Sequence, residues 1–271
     1  MAAPTDDEFL ALAADHGVVP VWRELLADLD TPLSVYAKLT GDGPSFLLES
    51  AEHGERWGRY SFVGFDPFLV LRGRDGVVRW EGEPPASARD AGGVLDSLSA
   101  VLAAYRTPEV LDIPLHGGAV GTLGYDLIRE IEDIPATGAD DLGLPDVQLL
   151  FPRHVVALDH LRQVLTVVTN VVVEDTDDST ELARRYDDAI AATDAVVTRL
   201  TAAVAPLPPV APPVRGAPAE ARSNLAPGST KASSSRSRST SAPATCSRRC
   251  RASGSPSTPR SPRSISTAPC G

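Results

Sequence analysis

The sequence predicts an α+β fold, a mainly antiparallel sheet with packed helices, followed by a disordered tail. Three observations carry that expectation. Strand-like and helix-like segments come in runs rather than in strict βαβ alternation. Asp75-Gly76, between "FLVLRGR" and "VVRWEG", is a two-residue hairpin signal, and "VQLLFPRHVVALDH" followed by "LRQVLTVVTNVVV" reads as a long hairpin rich in Val, Leu and Thr. Beyond about residue 204 helical and strand periodicity stop, and Pro, Ala, Ser and Arg take over.

The elements follow in order. Thr5 with Glu8 forms a capping box, and Phe9, Leu10 and Leu12 suit a short helix ending near Gly17. Thr31-Pro32 opens a second helix through "LSVYAKL" as N-cap and first helical position. "SFLLES" is a short apolar strand, and "RYSFVGFDPFLVLRG" gives two β runs broken at Asp66-Pro67. "DAGGVLDSLSAVLAAYR" is a helix with Val94, Leu95, Leu98, Val101 and Leu102 on one face. "GGAVGTLGYDLIREIEDIP" is a Gly-rich strand running into a helical turn. In the long hairpin, alternation places one sheet face inward. A last helix spans about Ser179 to Ala203, and "APLPPVAPPVRGAPAEA" is an extended linker.

Charge divides the chain. Its 271 residues carry a formal net charge of -11, yet nine of the 25 Lys and Arg and none of the 36 Asp and Glu lie beyond Ala221. The body therefore holds 16 basic residues against 36 acidic ones, about -20. An acidic body argues against nucleic-acid backbones or anionic membranes as partners, since both need a basic face. No run of about 18 apolar residues exists and the N-terminus is acidic, so a cytoplasmic protein is expected.

Motif searches exclude more than they find. Gly118, Gly121 and Gly124 have the wrong spacing for a phosphate loop and fit a strand that bulges or packs closely on another backbone. His16, His53, His116, His154 and His160 form no i, i+4 pair, so neither a metal nor a nucleophilic site is expected from them. Asp159-His160 reads as a solvated turn. Cys246, Cys250 and Cys270 all lie in the tail; the first two are half a zinc site with no second ligand pair after them, and incidental cysteines are the preferred reading. Glu49 and Ser50 end an apolar strand, a usual place for groups that grip a small ligand, although an ordinary strand end accounts for them as well.

"TPLSVYAKLTGDGPSFLLESAEHGERWGRYSFVGFDP", "GGAVGTLGYDLIREIEDIP" and "PDVQLLFPRHVVALDH" together resemble the N-terminal domain of anthranilate synthase component I, the large chorismate-using subunit of tryptophan biosynthesis. The likeness runs over about residues 5 to 227. Aminodeoxychorismate synthase component I, of the folate pathway, shares the layout. The resemblance implies a lyase that aminates chorismate with ammonia and eliminates pyruvate, with chorismate and Mg²⁺ held by a C-terminal half; no cofactor is expected on this chain, and no catalytic or metal-binding residue. It implies a glutamine amidotransferase partner, component II, that supplies the ammonia. It also implies an inhibitory tryptophan site to which Glu49, Ser50 and Arg59 contribute, Arg59 standing where members of the family can carry Lys.

The chain then departs from that family. Residues 1–204 form the domain, 205–228 the Pro and Ala linker with a family-like remnant, and 229–271 a low-complexity tail. If each tail codon joins the last two bases of one codon to the first base of the next, Ser239–Ser255 reads back as EHIRAGDMFQAVPSQRF and Ile265–Gly271 as DLYRALR, strings similar to those of the family. The tail is therefore expected to be out-of-frame translation of a GC-rich gene, and the chain to be inactive. The rival expectation is a basic disordered arm that binds nucleic acid.

Overall fold

A computed structural model describes residues 2–49, 58–135, 140, 142–174 and 176–202. The chain divides into two units, Met1–Pro208 and Pro209–Gly271, and every described residue belongs to the first. The expected linker and tail, with their three cysteines, lie outside the described residues.

Five helices and seven strands follow one another as α1 (Asp6–Ala13), β1 (Val18–Leu26), α2 (Pro32–Leu39), β2 (Ser45–Glu49), β3 (Tyr60–Arg74), β4 (Val77–Gly82), α3 (Ala86–Arg89), α4 (Val94–Ala104), β5 (Val120–Leu123), a 3₁₀ turn (Tyr125–Glu130), β6 (Val147–Asp159), β7 (Val164–Val172) and α5 (Ser179–Thr201), counted among the described residues. The strands make one sheet in the order β1-β7-β6-β3-β2, with β4 added to β3 and β5 to β6. Each pairing is antiparallel, so the α+β expectation holds.

Local chemistry sets the element ends. Thr5 and Glu8 exchange the two bonds of the capping box, and Thr31 does the same with Ser34 ahead of Pro32. Asp75 and Gly76 both take positive φ, 51° and 74°, as a tight hairpin with strand-like twist requires. Asp178 caps α5 by accepting from the Glu181 amide.

Several expectations need correction. "VVPVWRELL" forms β1, which sequence reading left unassigned between the first two helices; Pro20 and the polar Arg23 and Glu24 weaken its strand signal, and it sits at a sheet edge where Pro is tolerated. The break at Asp66-Pro67 does not end a strand. β3 runs through it with a register shift between Pro67 and Leu69, and Asp66 takes φ 49°. In α4 the buried positions are Val94, Ser97 and Val101, while Leu102 is exposed. β6 and β7 are buried on both faces rather than one. One face packs on α2 and α5 through Val63, Val156, Leu158 and Val196. The other, through Phe62, Val155 and Val168, lies under Leu111, Ile113 and Leu115. Where β3 and β6 continue past the bulge, α3 and α4 cover them, around Leu69, Leu71, Val101 and Phe151.

Candidate functional site

Antiparallel pairing brings three chain segments to one end of the sheet. Glu49, the last residue of β2, lies opposite Ser61 of β3, and Tyr60 lies opposite Asp159, the last residue of β6. Glu49 is exposed there. Ser50 lies outside the described residues.

Arg59 stands just before β3, and its guanidinium grips Asp159: Nε donates to Oδ1 and Oδ2 at 3.1 and 3.0 Å, and Nη2 to Oδ2 at 2.5 Å. The same group lies 4.8 Å from the Tyr60 ring centroid. Asp159 Oδ1 also accepts the amides of Leu161 and Arg162, both at 3.0 Å, which forms the β6–β7 turn around the carboxylate. The amide of His160 donates to the Arg59 carbonyl at 2.9 Å. Ser61 Oγ and His160 Nε2 lie 2.8 Å apart.

Burial by itself would raise the Asp159 carboxyl, but the Arg59 side chain and the amides of Arg162 and Leu161 outweigh it and hold the group below the ordinary carboxylate range. The hydrogen bond to Asp159 raises Arg59 in turn. Asp159 is thus no solvated turn residue, being 6% exposed and bonded to a residue 100 positions away, whereas His160 is exposed in the turn as expected. Sequence reasoning missed Asp159, Ser61 and His160 as parts of this end. The signal existed only as polar residues closing two apolar strands, and pairing was needed to bring them together.

The chemistry follows from the pairing. Arg59 already carries its counter-ion, so its charge is compensated before any ligand arrives. Glu49 carries a carboxylate at the open edge. This end therefore favours a ligand's ammonium group over its carboxylate. No cluster of three or more His, Cys, Asp or Glu able to hold a metal occurs among the described residues. These residues do not fit the Mg²⁺ implied by the resemblance.

Gly121 and Gly124 of "GGAVGTLGYD" serve packing, whereas Gly118 lies ahead of β5 with φ 80° and open space around it, so close packing does not explain it. A Cβ on Gly121 would stand 1.9 Å from the Gln148 carbonyl oxygen, and one on Gly124 would stand 2.8 Å from that of Asp146. No helix among the described residues is long and apolar enough to cross a membrane.

Comparison with known proteins decides the relationship. Anthranilate synthase component 1 of Mycolicibacterium smegmatis is 43% identical over 207 residues, covering 73% of this chain and 39% of the relative. The chain is homologous to anthranilate synthase component 1. The proteins of that name from Mycobacterium tuberculosis H37Rv and Pseudomonas aeruginosa are 43% identical over 207 residues and 42% over 160. They share 74% and 57% of this chain and 40% and 32% of their own lengths. The chain thus spans about two fifths of the length of the first of these anthranilate synthase relatives. A solved anthranilate synthase component I from Streptococcus pneumoniae TIGR4 aligns with TM-score 0.41 and 21% identity, over 66% of this chain and 37% of that one. No protein-family model matches the chain.

Proposed function

We propose that residues 1–204 are the N-terminal, regulatory and structural part of an anthranilate synthase component I, a lyase that makes anthranilate and pyruvate from chorismate and ammonia. The observation that carries this reading is 43% identity over 207 residues to proteins of that name. Chorismate and Mg²⁺ belong, in this reading, to the part of the relatives that the aligned residues do not span. This chain's own share is an inhibitory tryptophan site at Glu49, Ser50 and Arg59 and a docking face for the glutamine amidotransferase component II, in a cytoplasmic complex. The exposed Glu49 carboxylate supports the role of holding the tryptophan ammonium, and Asp159 holds Arg59 at the same end of the sheet.

The back-reading of Ser239–Ser255 and Ile265–Gly271 supports out-of-frame translation of the tail. Sequencing the gene across the codons for Ala221 to Arg238 and beyond Gly271 tests it, because an extra or missing base would restore the family's frame. Calorimetry of the full chain with L-tryptophan tests the site: binding that weakens about tenfold in Glu49→Ala, the loss of one charge-assisted bond, is expected. Absence of heat would end the inhibitor-site reading. With chorismate, Mg²⁺ and ammonia the full chain should form no anthranilate by fluorescence, and turnover would refute the division of labour.

A further inference from the structure

A second polar pocket opens where β2 begins, under the loop that leaves α2. Its volume is about 300 Å³, and Ser45, Phe65, Asp66, His154 and Arg199 contribute to its lining. Ser45 and Glu49 are the two ends of β2, on the order of 13 Å apart along the strand, so this pocket is distinct from the end that carries Glu49.

His154 is 7% exposed and stacks on Phe65 with ring centroids 5.1 Å apart. A chain of hydroxyls determines its tautomer. Thr193 Oγ1 donates its one hydrogen to the Ala189 carbonyl at 2.8 Å. The 2.8 Å contact between the Thr169 and Thr193 hydroxyls must then be donated by Thr169. Thr169 is left as acceptor in its 3.1 Å contact with His154, so Nδ1 carries the imidazole proton. Nε2 therefore presents a lone pair, and it has no hydrogen-bond partner among the described residues.

The Asp66 carboxylate stands 3.9 Å from that nitrogen, on a residue that reaches the pocket through positive φ at the β3 bulge. Two acceptors thus face each other with no donor between them among the described residues. Arg153 approaches the same carboxylate oxygen only to 3.7 Å. Burial, with Arg153 and Arg199 nearby, lowers His154 to about 4 against the pull of Asp66, so the imidazole is a neutral acceptor at pH 7. Arg199 lies over the Phe65 ring, its guanidinium carbon 5.7 Å from the centroid, and donates to the Leu39 carbonyl.

We propose that this pocket binds a small α-amino acid, its ammonium donating to His154 Nε2 and Asp66, its carboxylate facing Arg199 and its side chain resting on Phe65. A nitrogen about 2.8 Å from each of two acceptors 3.9 Å apart sees them at about 90°, an angle that two N–H bonds of one ammonium can serve. The two charges of the ligand match one acid and one base. Water could satisfy the acceptors but would use neither charge.

The test follows the His154 ring nitrogens of the full chain by long-range proton–nitrogen NMR during titration with L-alanine, methylammonium or acetate. L-Alanine should shift Nε2 and leave Nδ1 protonated. Asp66→Asn, which keeps a residue tolerant of positive φ, should weaken L-alanine about tenfold, and Arg199→Gln should reduce it to the affinity of methylammonium. Glu49→Ala should leave L-alanine binding unchanged, which separates this site from the proposed tryptophan site. An Nε2 resonance unmoved by L-alanine at about 100 mM, binding of acetate as tight as that of L-alanine, or an Asp66→Asn protein that binds L-alanine as well as the parent would overturn the proposal.

Discussion

Acidification should destabilise the domain through one buried imidazole. His154 titrates near 4 in the folded protein against an ordinary 6.5, chiefly because burial penalises its charged form. Between those two values the unfolded chain binds a proton that the folded chain refuses, so unfolding takes up close to one proton. The stability this group protects is fully present above about pH 6.5 and is lost as pH falls toward 4, at about 1.4 kcal/mol per pH unit and about 3 kcal/mol in all. Urea unfolding of the full chain at several pH values from about 7.5 to 4.5 measures the slope. His154→Gln, which can still donate to Thr169, removes the titrating group and should give a flatter profile. Its deficit relative to the parent should shrink by about 2 to 3 kcal/mol between pH 6.5 and 4.5. Parallel profiles for the two proteins would show that His154 is not held neutral, and the hydroxyl-chain argument would fail with it.

Two further outcomes rest on geometry. Asp159→Asn removes the charge that Arg59 and two turn amides converge on, and should cost about 2 to 3 kcal/mol by urea titration; Arg59→Gln should also destabilise, and the double variant should cost clearly less than the sum of the two. Additive costs would mean that the pair is not coupled. Gly121→Ala drives a methyl into the Gln148 carbonyl of the neighbouring strand, which cannot yield as a side chain could. Hydrogen exchange of the β5 amides should accelerate by at least about tenfold, and unchanged protection would contradict the close approach.

Much of the fold was legible locally. The Thr5–Glu8 capping box, the Thr31 N-cap, the Asp75-Gly76 hairpin, the β6–β7 hairpin and α5 each lie close to where the sequence places them, because their signals are local. The strand β1 was not legible because its nine residues include Pro20 and a polar pair, and the neighbour β7 supplies the pairing that holds it. Leu102 was misplaced because apolar spacing along α4 marks a stripe wider than the surface that α4 meets, and Ser97 faces that surface instead.

The candidate site divides the same way. Glu49 was visible as a polar group ending an apolar strand, and Arg59 only as part of a segment resembling a family. The sequence alone also determined the opposition of an acidic body to a basic, cysteine-bearing tail, since composition needs no coordinates. That Arg59 spends its charge on Asp159, and that His154 turns a bare nitrogen toward Asp66, was decided only by tertiary structure. These partners are 100 and 88 residues apart, respectively. Hydrogen bonds and charges act over a few ångströms, and strand register decides which distant side chains come within that range.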